Sequence, residues 1–306
     1  MAALRQGSLR LANVAGIDLF LHWSWFLVAA YEIQGRTGTY TSIGWNVLEY
    51  LALFLIVTLH EFGHALACRQ VGGIANRIVL WPLGGVAYVQ PPPRAGATLW
   101  SIAAGPLVNV VLLPVLGALW LALHSAGFAA AMPNAYALVR MVFFINFVLL
   151  VFNMLPVYPL DGGQILRSLL WFVLGRARSL MVVTVIGFAG VAGLFALAVA
   201  AQSLWIGIIA AFVLFSCWGG LRQSRVLLHL AKAPRRGDFA CPSCKTAPPA
   251  GEYWVCSRCK KQFDTFVTKA VCPQCALEFA VTRCLDCGHV HPMGEWLLAA
   301  TAPAKW

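Results

Sequence analysis

His60, Glu61 and His64 stand in the stretch LHEFGHALA, residues 59–67. Four residues apart on a helix, two histidines share one face about 6 Å apart along the axis, so both imidazoles can reach one zinc ion. Glu61 follows the first of them and can address a water in an open coordination position. This is the His-Glu-x-x-His arrangement, in which glutamate acts as general base and zinc supplies Lewis acidity. Its surroundings add weight. From Val47 to Ala67 the only other acidic or imidazole group is Glu49, and such groups are expensive in hydrocarbon and functional by default. A polar cluster that only packs helices together is the competing reading.

A third ligand should come from another span. Asp161, in NMLPVYPLDGG (153–163), is the only carboxylate between Glu61 and Asp238. Gly162 and Gly163 would let the backbone turn sharply and approach closely. Pro156 and Pro159 break the helix before it, freeing polar backbone that must face protein or a water-filled cavity. Two histidines and one carboxylate with a fourth position open is catalytic-zinc chemistry.

A second set of ligand-type residues lies near the other end. Of ten cysteines, eight form four Cys-x-x-Cys pairs: Cys241 and Cys244, Cys256 and Cys259, Cys272 and Cys275, Cys284 and Cys287. Each pair presents two thiolates from one tight turn, and two pairs make a zinc ribbon, so two structural zinc sites are expected. Joining neighbouring pairs, 241/244 with 256/259 and 272/275 with 284/287, is the simplest arrangement; a crossed one stays open. A disulfide framework is the alternative, disfavoured for a cytoplasmic tail. His289 and His291 follow Cys287 closely and are read as surface histidines, while Cys68 and Cys217 are read as packing residues.

The elements that must position these groups are membrane spans. The chain is 60% hydrophobic and 11% charged, against roughly 25% charged in a soluble domain. An ordinary water-soluble fold is excluded. Apolar runs of about 20 residues place spans near 19–34, 47–68, 98–123, 137–157, 180–200 and 203–221. No cleavable signal is evident, so insertion as an integral protein is expected. Arg and Lys cluster before the first span, between the second and third, between the fourth and fifth, and after the sixth; the opposite side holds only Arg36 and Arg140. Both termini are therefore expected on the cytoplasmic side. The formal charge of +11 reflects this topology and attraction to anionic lipid, with no need to invoke nucleic acid.

Taken together, LHEFGHALA and NMLPVYPLDGG resemble the site-2 protease family of intramembrane zinc metalloproteases. The family pairs His-Glu-x-x-His with Asn-x-x-Pro-x-x-x-Leu-Asp-Gly, here His60, Glu61 and His64, then Asn153, Pro156, Leu160, Asp161 and Gly162. LGGVA (83–87) and AAGPLVN (103–109) extend the likeness, which runs from about His22 to Gly175 and points to the compact branch. It implies His60, His64 and Asp161 as zinc ligands and Glu61 as the base. Asn153 is a candidate for stabilising the oxyanion, with helix packing an equal alternative. The stretch NRIVLWPLGGVAYVQ (76–90) is similar to the family's membrane-associated hairpin. Its edge, with Gly84 and Gly85 at the turn beside Pro82, is a candidate substrate-binding strand; a loop packed on the helices is the plainer reading.

The expected fold is an all-α polytopic membrane protein of about six transmembrane helices with a small membrane-associated β-hairpin. A metalloprotease domain (1–236) precedes a cytoplasmic double zinc-ribbon domain (237–306). The expected function is zinc-dependent intramembrane proteolysis in a bacterial-type cell membrane, with one catalytic and two structural zinc ions. Expected partners are a transmembrane protein substrate, membrane lipid, and a regulatory protein met by the ribbons. The competing class is a non-proteolytic membrane protein, either a metal-transport component or a scaffold. Glu61 separates them, because transport has no need of a base.

Overall fold

The structure is a computed structural model and describes residues 7–36, 38–81 and 84–297. In chain order the elements are β1 (Ser8–Val14), β2 (Ile17–His22), α1 (Ser24–Gly35), α2 (Ile43–Gln70), β3 (Ile74–Trp81), β4 (Gly84–Gln90), α3 (Ala95–Ser125), α4 (Phe128–Ala131), α5 (Pro133–Asn153), α6 (Asp161–Ala200) and α7 (Leu204–Lys232). Four two-residue strands follow: β5 (Trp254–Val255), β6 (Gln262–Phe263), β7 (Thr282–Arg283) and β8 (Val290–His291). Two compact units result, 1–221 and 222–306.

Among the described residues five helices, α2, α3, α5, α6 and α7, are long and apolar enough to cross a bilayer. Gly175 interrupts α6 with φ 75° and ψ 169°, a conformation open to glycine because it lacks a Cβ. The part before the break rises only about 20 Å, whereas the part after it is long enough to span.

The first expected span, 19–34, has a different build. Residues Ile17–His22 form a strand, in which Ile17, Leu19 and Leu21 are buried and alternate with less buried neighbours, the period of two that a strand requires. Helix α1 has 12 residues and rises about 18 Å, short of the ~30 Å hydrocarbon core. Even so, the segment keeps pace with α2. Arg69 donates to the carbonyls of Ala15 and Gly16, while Arg36 pairs with Glu49 and its carbonyl accepts from Asn46 at 2.7 Å. Between Glu49 and Arg69 helix α2 rises about 30 Å. Strand and short helix together cover the distance that one helix was expected to cover.

The sheet runs β1-β2-β3-β4. Strands β2 and β3 are parallel, with α1 and α2 as their crossover, and β3 and β4 are the antiparallel hairpin expected at 76–90. Pro82 and Leu83, at its turn, lie outside the described residues. Ile17, Leu19, Leu21, Ile78 and Leu80 pack with Val57, Ala65 and Cys68 of α2 in one core. That packing holds the sheet against the half of α2 that carries the histidines.

The second unit is built from four knuckles of one design. In each, the residue after the second cysteine is left-handed: Lys245, Lys260, Ala276 and Gly288, with φ of 59°, 62°, 53° and 81°. Its N–H donates to the carbonyl of the first cysteine, as Lys260 does to Cys256 at 3.1 Å. Phe239, Trp254, Phe266 and Trp296 form a small aromatic core, with Phe266 4.8–5.3 Å from the other three rings.

Candidate metal centre

Helix α2 buries His60, Glu61 and His64 at 4%, 6% and 5% exposure. The two imidazoles meet edge to face, with their Nε2 atoms 3.1 Å apart. Asp161, the first residue of α6, brings Oδ2 to 3.0 Å from His60 Nε2 and 3.4 Å from His64 Nε2. Gly162 and Gly163 serve a purpose other than a sharp turn: they are helical and buried, and a Cβ on either would strike the backbone of residues 154–158. Their smallness lets the proline-broken segment pack under Asp161.

This donor set fits a metal ion. His64 Nδ1 lies 2.9 Å from the Ser101 carbonyl, which only accepts, so Nδ1 carries the proton and Nε2 presents a bare lone pair. That lone pair faces a carboxylate oxygen and the Nε2 of His60, whose Nδ1 is engaged 2.6 Å away by Asn109 Oδ1. Acceptors at such distances repel unless a cation lies among them. Tetrahedral N and O ligands about 2.0–2.1 Å from zinc would sit ~3.3 Å from one another, close to the observed spacings.

Glu61 reaches strand β4. Its Oε2 accepts from the backbone N–H of Ala87 in β4 at 2.8 Å, and its side chain lies directly on Gly85, where a Cβ would overlap it. Gly84 opens the same strand. Asn153 ends α5, half-buried, and its amide makes no hydrogen bond among the described residues. It lies outside the converging ligand atoms.

Residues with no assigned role in the sequence reading also shape the site. Ser101 and Asn109, each fully buried in apolar α3, are the partners of the two histidines. Gly105 faces the His64 ring and Gly63 faces the Ala104 carbonyl, with no room for a Cβ at either. Lone polar residues and a small-residue run within an apolar span, SIAAGPLVN, were the available signal.

The cysteines gather into two clusters, and the pairing is nested. Cys241 and Cys244 meet Cys284 and Cys287, while Cys256 and Cys259 meet Cys272 and Cys275. Joining 241/244 to 256/259 was the simplest expectation, and the fold departs from it. The inner knuckles face each other across a short link, and the outer two are brought together where the unit closes. There Phe239 bridges Leu297 and Ala240 N–H donates to the Trp296 carbonyl at 2.8 Å. Cross-pair sulfurs lie 3.5–3.8 Å apart, matching the ~3.8 Å edge of a tetrahedron with Zn–S near 2.3 Å. The Cys259 N–H, donated to the Cys256 sulfur, leads the effects that pull this thiol down to about 6. In the same cluster the Leu277 N–H lowers Cys275, but burial and the sulfurs of Cys256, Cys272 and Cys259 outweigh it and push that thiol up to about 12. Four thiolates in contact call for a cation between them. His291 stays outside both clusters and contacts Ser243 at 2.7 Å and Glu295 at 3.2 Å.

Comparison with known proteins bears on the membrane unit. Residues 49–135 and 116–197 match the family described as Peptidase family M50. The zinc metalloprotease MJ0392 of Methanocaldococcus jannaschii is 32% identical over 220 residues, which are 72% of this chain and 61% of that protein. The chain thus spans 61% of the length of this curated relative. The solved site-2 protease from Methanocaldococcus jannaschii aligns with a TM-score of 0.50 and 29% identity, covering 70% of this chain and 95% of that one. The family match ends at residue 197, before the cysteine clusters.

Proposed function

This chain belongs, through its membrane-spanning part, to peptidase family M50, the site-2 protease family, and on that premise we propose that it is a zinc-dependent intramembrane endopeptidase. It is an integral membrane protein, and its proposed substrates are membrane proteins cut within or near a transmembrane segment. The observation that carries this reading is the convergence of His60, His64 and Asp161 from two helices, with Glu61 next to His60 on α2 and hydrogen-bonded to the edge strand.

Zinc held by His60, His64 and Asp161 would supply Lewis acidity to polarise the scissile carbonyl and to acidify water. Glu61 takes the proton of the attacking water and passes it to the leaving amine. Asn153, whose amide makes no hydrogen bond among the described residues, is the proposed donor to the developing oxyanion. A substrate helix must first unwind, since its own hydrogen bonds hide the peptide. Strand β4 is one of the two edge strands of the sheet and can take the unwound segment by strand addition. Gly84, with open space where a Cβ would stand, leaves room there for an incoming backbone, and Gly85 makes room for Glu61 beside it.

The Arg and Lys distribution supports both termini on the cytoplasmic side, and the proposed location is a bacterial-type cell membrane. His64 lies less than two turns before Arg69, within roughly 10 Å of that interface, so the path for water is short. The two cysteine clusters are proposed to hold one structural zinc each in a cytoplasmic domain, and their surface is the proposed contact for a regulatory protein.

The deciding experiment is Glu61→Gln in purified protein, with bound zinc measured alongside cleavage of a model transmembrane substrate. Loss of about 10²–10⁴-fold in rate with zinc retained is expected. Cleavage at the unsubstituted rate would remove Glu61 as the base.

A further inference from the structure

Behind His60, two asparagines from different helices form a closed amide pair. Asn109 of α3 and Asn146 of α5 are both fully buried. Asn109 Nδ2 donates to Asn146 Oδ1 at 2.8 Å, and Asn146 Nδ2 donates to the main-chain carbonyl of Asn109 at 3.0 Å. We propose that Asn146 is a positioning residue for the metal centre: by holding the Asn109 amide in one orientation, it makes His60 present a bare Nε2 to the metal.

The Asn146 amide cannot flip. The main-chain carbonyl of Asn109 only accepts, so the group of Asn146 facing it is Nδ2, and Oδ1 of Asn146 therefore faces Asn109. The Asn109 amide nitrogen must turn to that oxygen, which leaves Asn109 Oδ1 toward His60 Nδ1 at 2.6 Å. An oxygen that only accepts requires the proton on Nδ1, and the lone pair then sits on Nε2, the atom aimed at Asp161 and His64. Without Asn146 the Asn109 amide can rotate by half a turn and offer its NH2 to Nδ1. That orientation favours the tautomer protonated on Nε2, which cannot ligate. His64 needs no such lock, because its partner is the Ser101 carbonyl. The asymmetry explains why an amide pair is buried between α3 and α5 on the His60 side.

This inference rests on His60 being a metal ligand, and the test separates the two. Zinc affinity is measured by chelator competition on the full chain, with the cysteine-held zinc as internal reference and helical content as a check on folding. Asn146→Leu is expected to weaken the His60 site about tenfold or more, as partners of ligating histidines do. The same substitution added to Asn109→Leu should weaken it no further. Asn146→Asp keeps an oxygen facing Asn109 Nδ2 and, protonated in this buried site so that its other oxygen donates to the Asn109 carbonyl, should weaken zinc binding less than Asn146→Leu. Equal weakening by Asn146→Leu in both backgrounds would indicate packing alone and overturn the proposal, as would full affinity in Asn146→Leu. If the unsubstituted chain holds zinc only in its cysteine clusters, the metal reading itself falls.

Discussion

Glu61 and Ala87 are joined by a 2.8 Å hydrogen bond from the strand's backbone N–H to the carboxylate. The proposed base and the edge strand proposed to receive substrate are thus one mechanical unit. Backbone at membrane depth must have its polar groups satisfied, and here the carboxylate proposed as the base satisfies one of them. An incoming substrate strand that competes for the Ala87 N–H would release the carboxylate toward water.

Two glycines next to the centre should fail in opposite ways. A methyl at Gly85 overlaps Glu61, whereas a methyl at Gly105 overlaps the His64 ring. Gly85→Ala should retain zinc and lose most cleavage; Gly105→Ala should lose zinc as well. Measuring metal content and activity on the same preparations checks both.

Asp161→Asn should lower zinc occupancy of the membrane site, since an amide oxygen is a weaker ligand than a carboxylate and leaves a charge uncompensated. A drop in affinity of at least about tenfold is expected, in line with losses seen even for outer partners. Zinc content after mild chelation reads it out, and unchanged occupancy would remove Asp161 from the ligand set.

The nested cysteine pairing has a counting signature. Cys241→Ser with Cys287→Ser disables one cluster and should lower bound zinc by one ion per chain. Cys241→Ser with Cys256→Ser touches both clusters and should lower it by two. Elemental analysis of purified protein distinguishes nested from neighbouring pairing, for which these two results would be exchanged.

At the other end of α2, Arg36 pairs with Glu49, and Tyr40 donates to the same carboxylate at 2.6 Å. Glu49 is buried, at 6% side-chain exposure, whereas Arg36 keeps 36%. Arg36→Leu strands a buried charge and should destabilise the unit by about 3–5 kcal/mol. Glu49→Leu leaves a guanidinium that water can reach and should cost less. Thermal unfolding of the two variants in one detergent tests the order.

Some of this was legible because it is local. His60 and His64 are bound to share a helix face by their spacing. Each Cys-x-x-Cys pair closes its own knuckle. Asp161 stood out as a lone carboxylate in a long apolar region. Less local features were harder to read. The run 19–34 has span-like composition, yet the alternation of Ile17, Leu19 and Leu21 matters only because β3 lies alongside to pair with β2.

What the sequence determined by itself is therefore the chemistry available: two imidazoles and a carboxylate in register on one helix, one more carboxylate, and four thiol pairs. Tertiary structure decided which of these meet. It brought Asp161 from α6 to α2, nested the cysteine pairs, set β4 against Glu61, and recruited Ser101, Asn109 and Asn146 behind the histidines. The physical reason is that spacing along a helix or within a knuckle follows from covalent geometry. Contacts between distant segments follow from how buried surfaces fit and which buried polar atoms find partners, and no short stretch of chain carries that information.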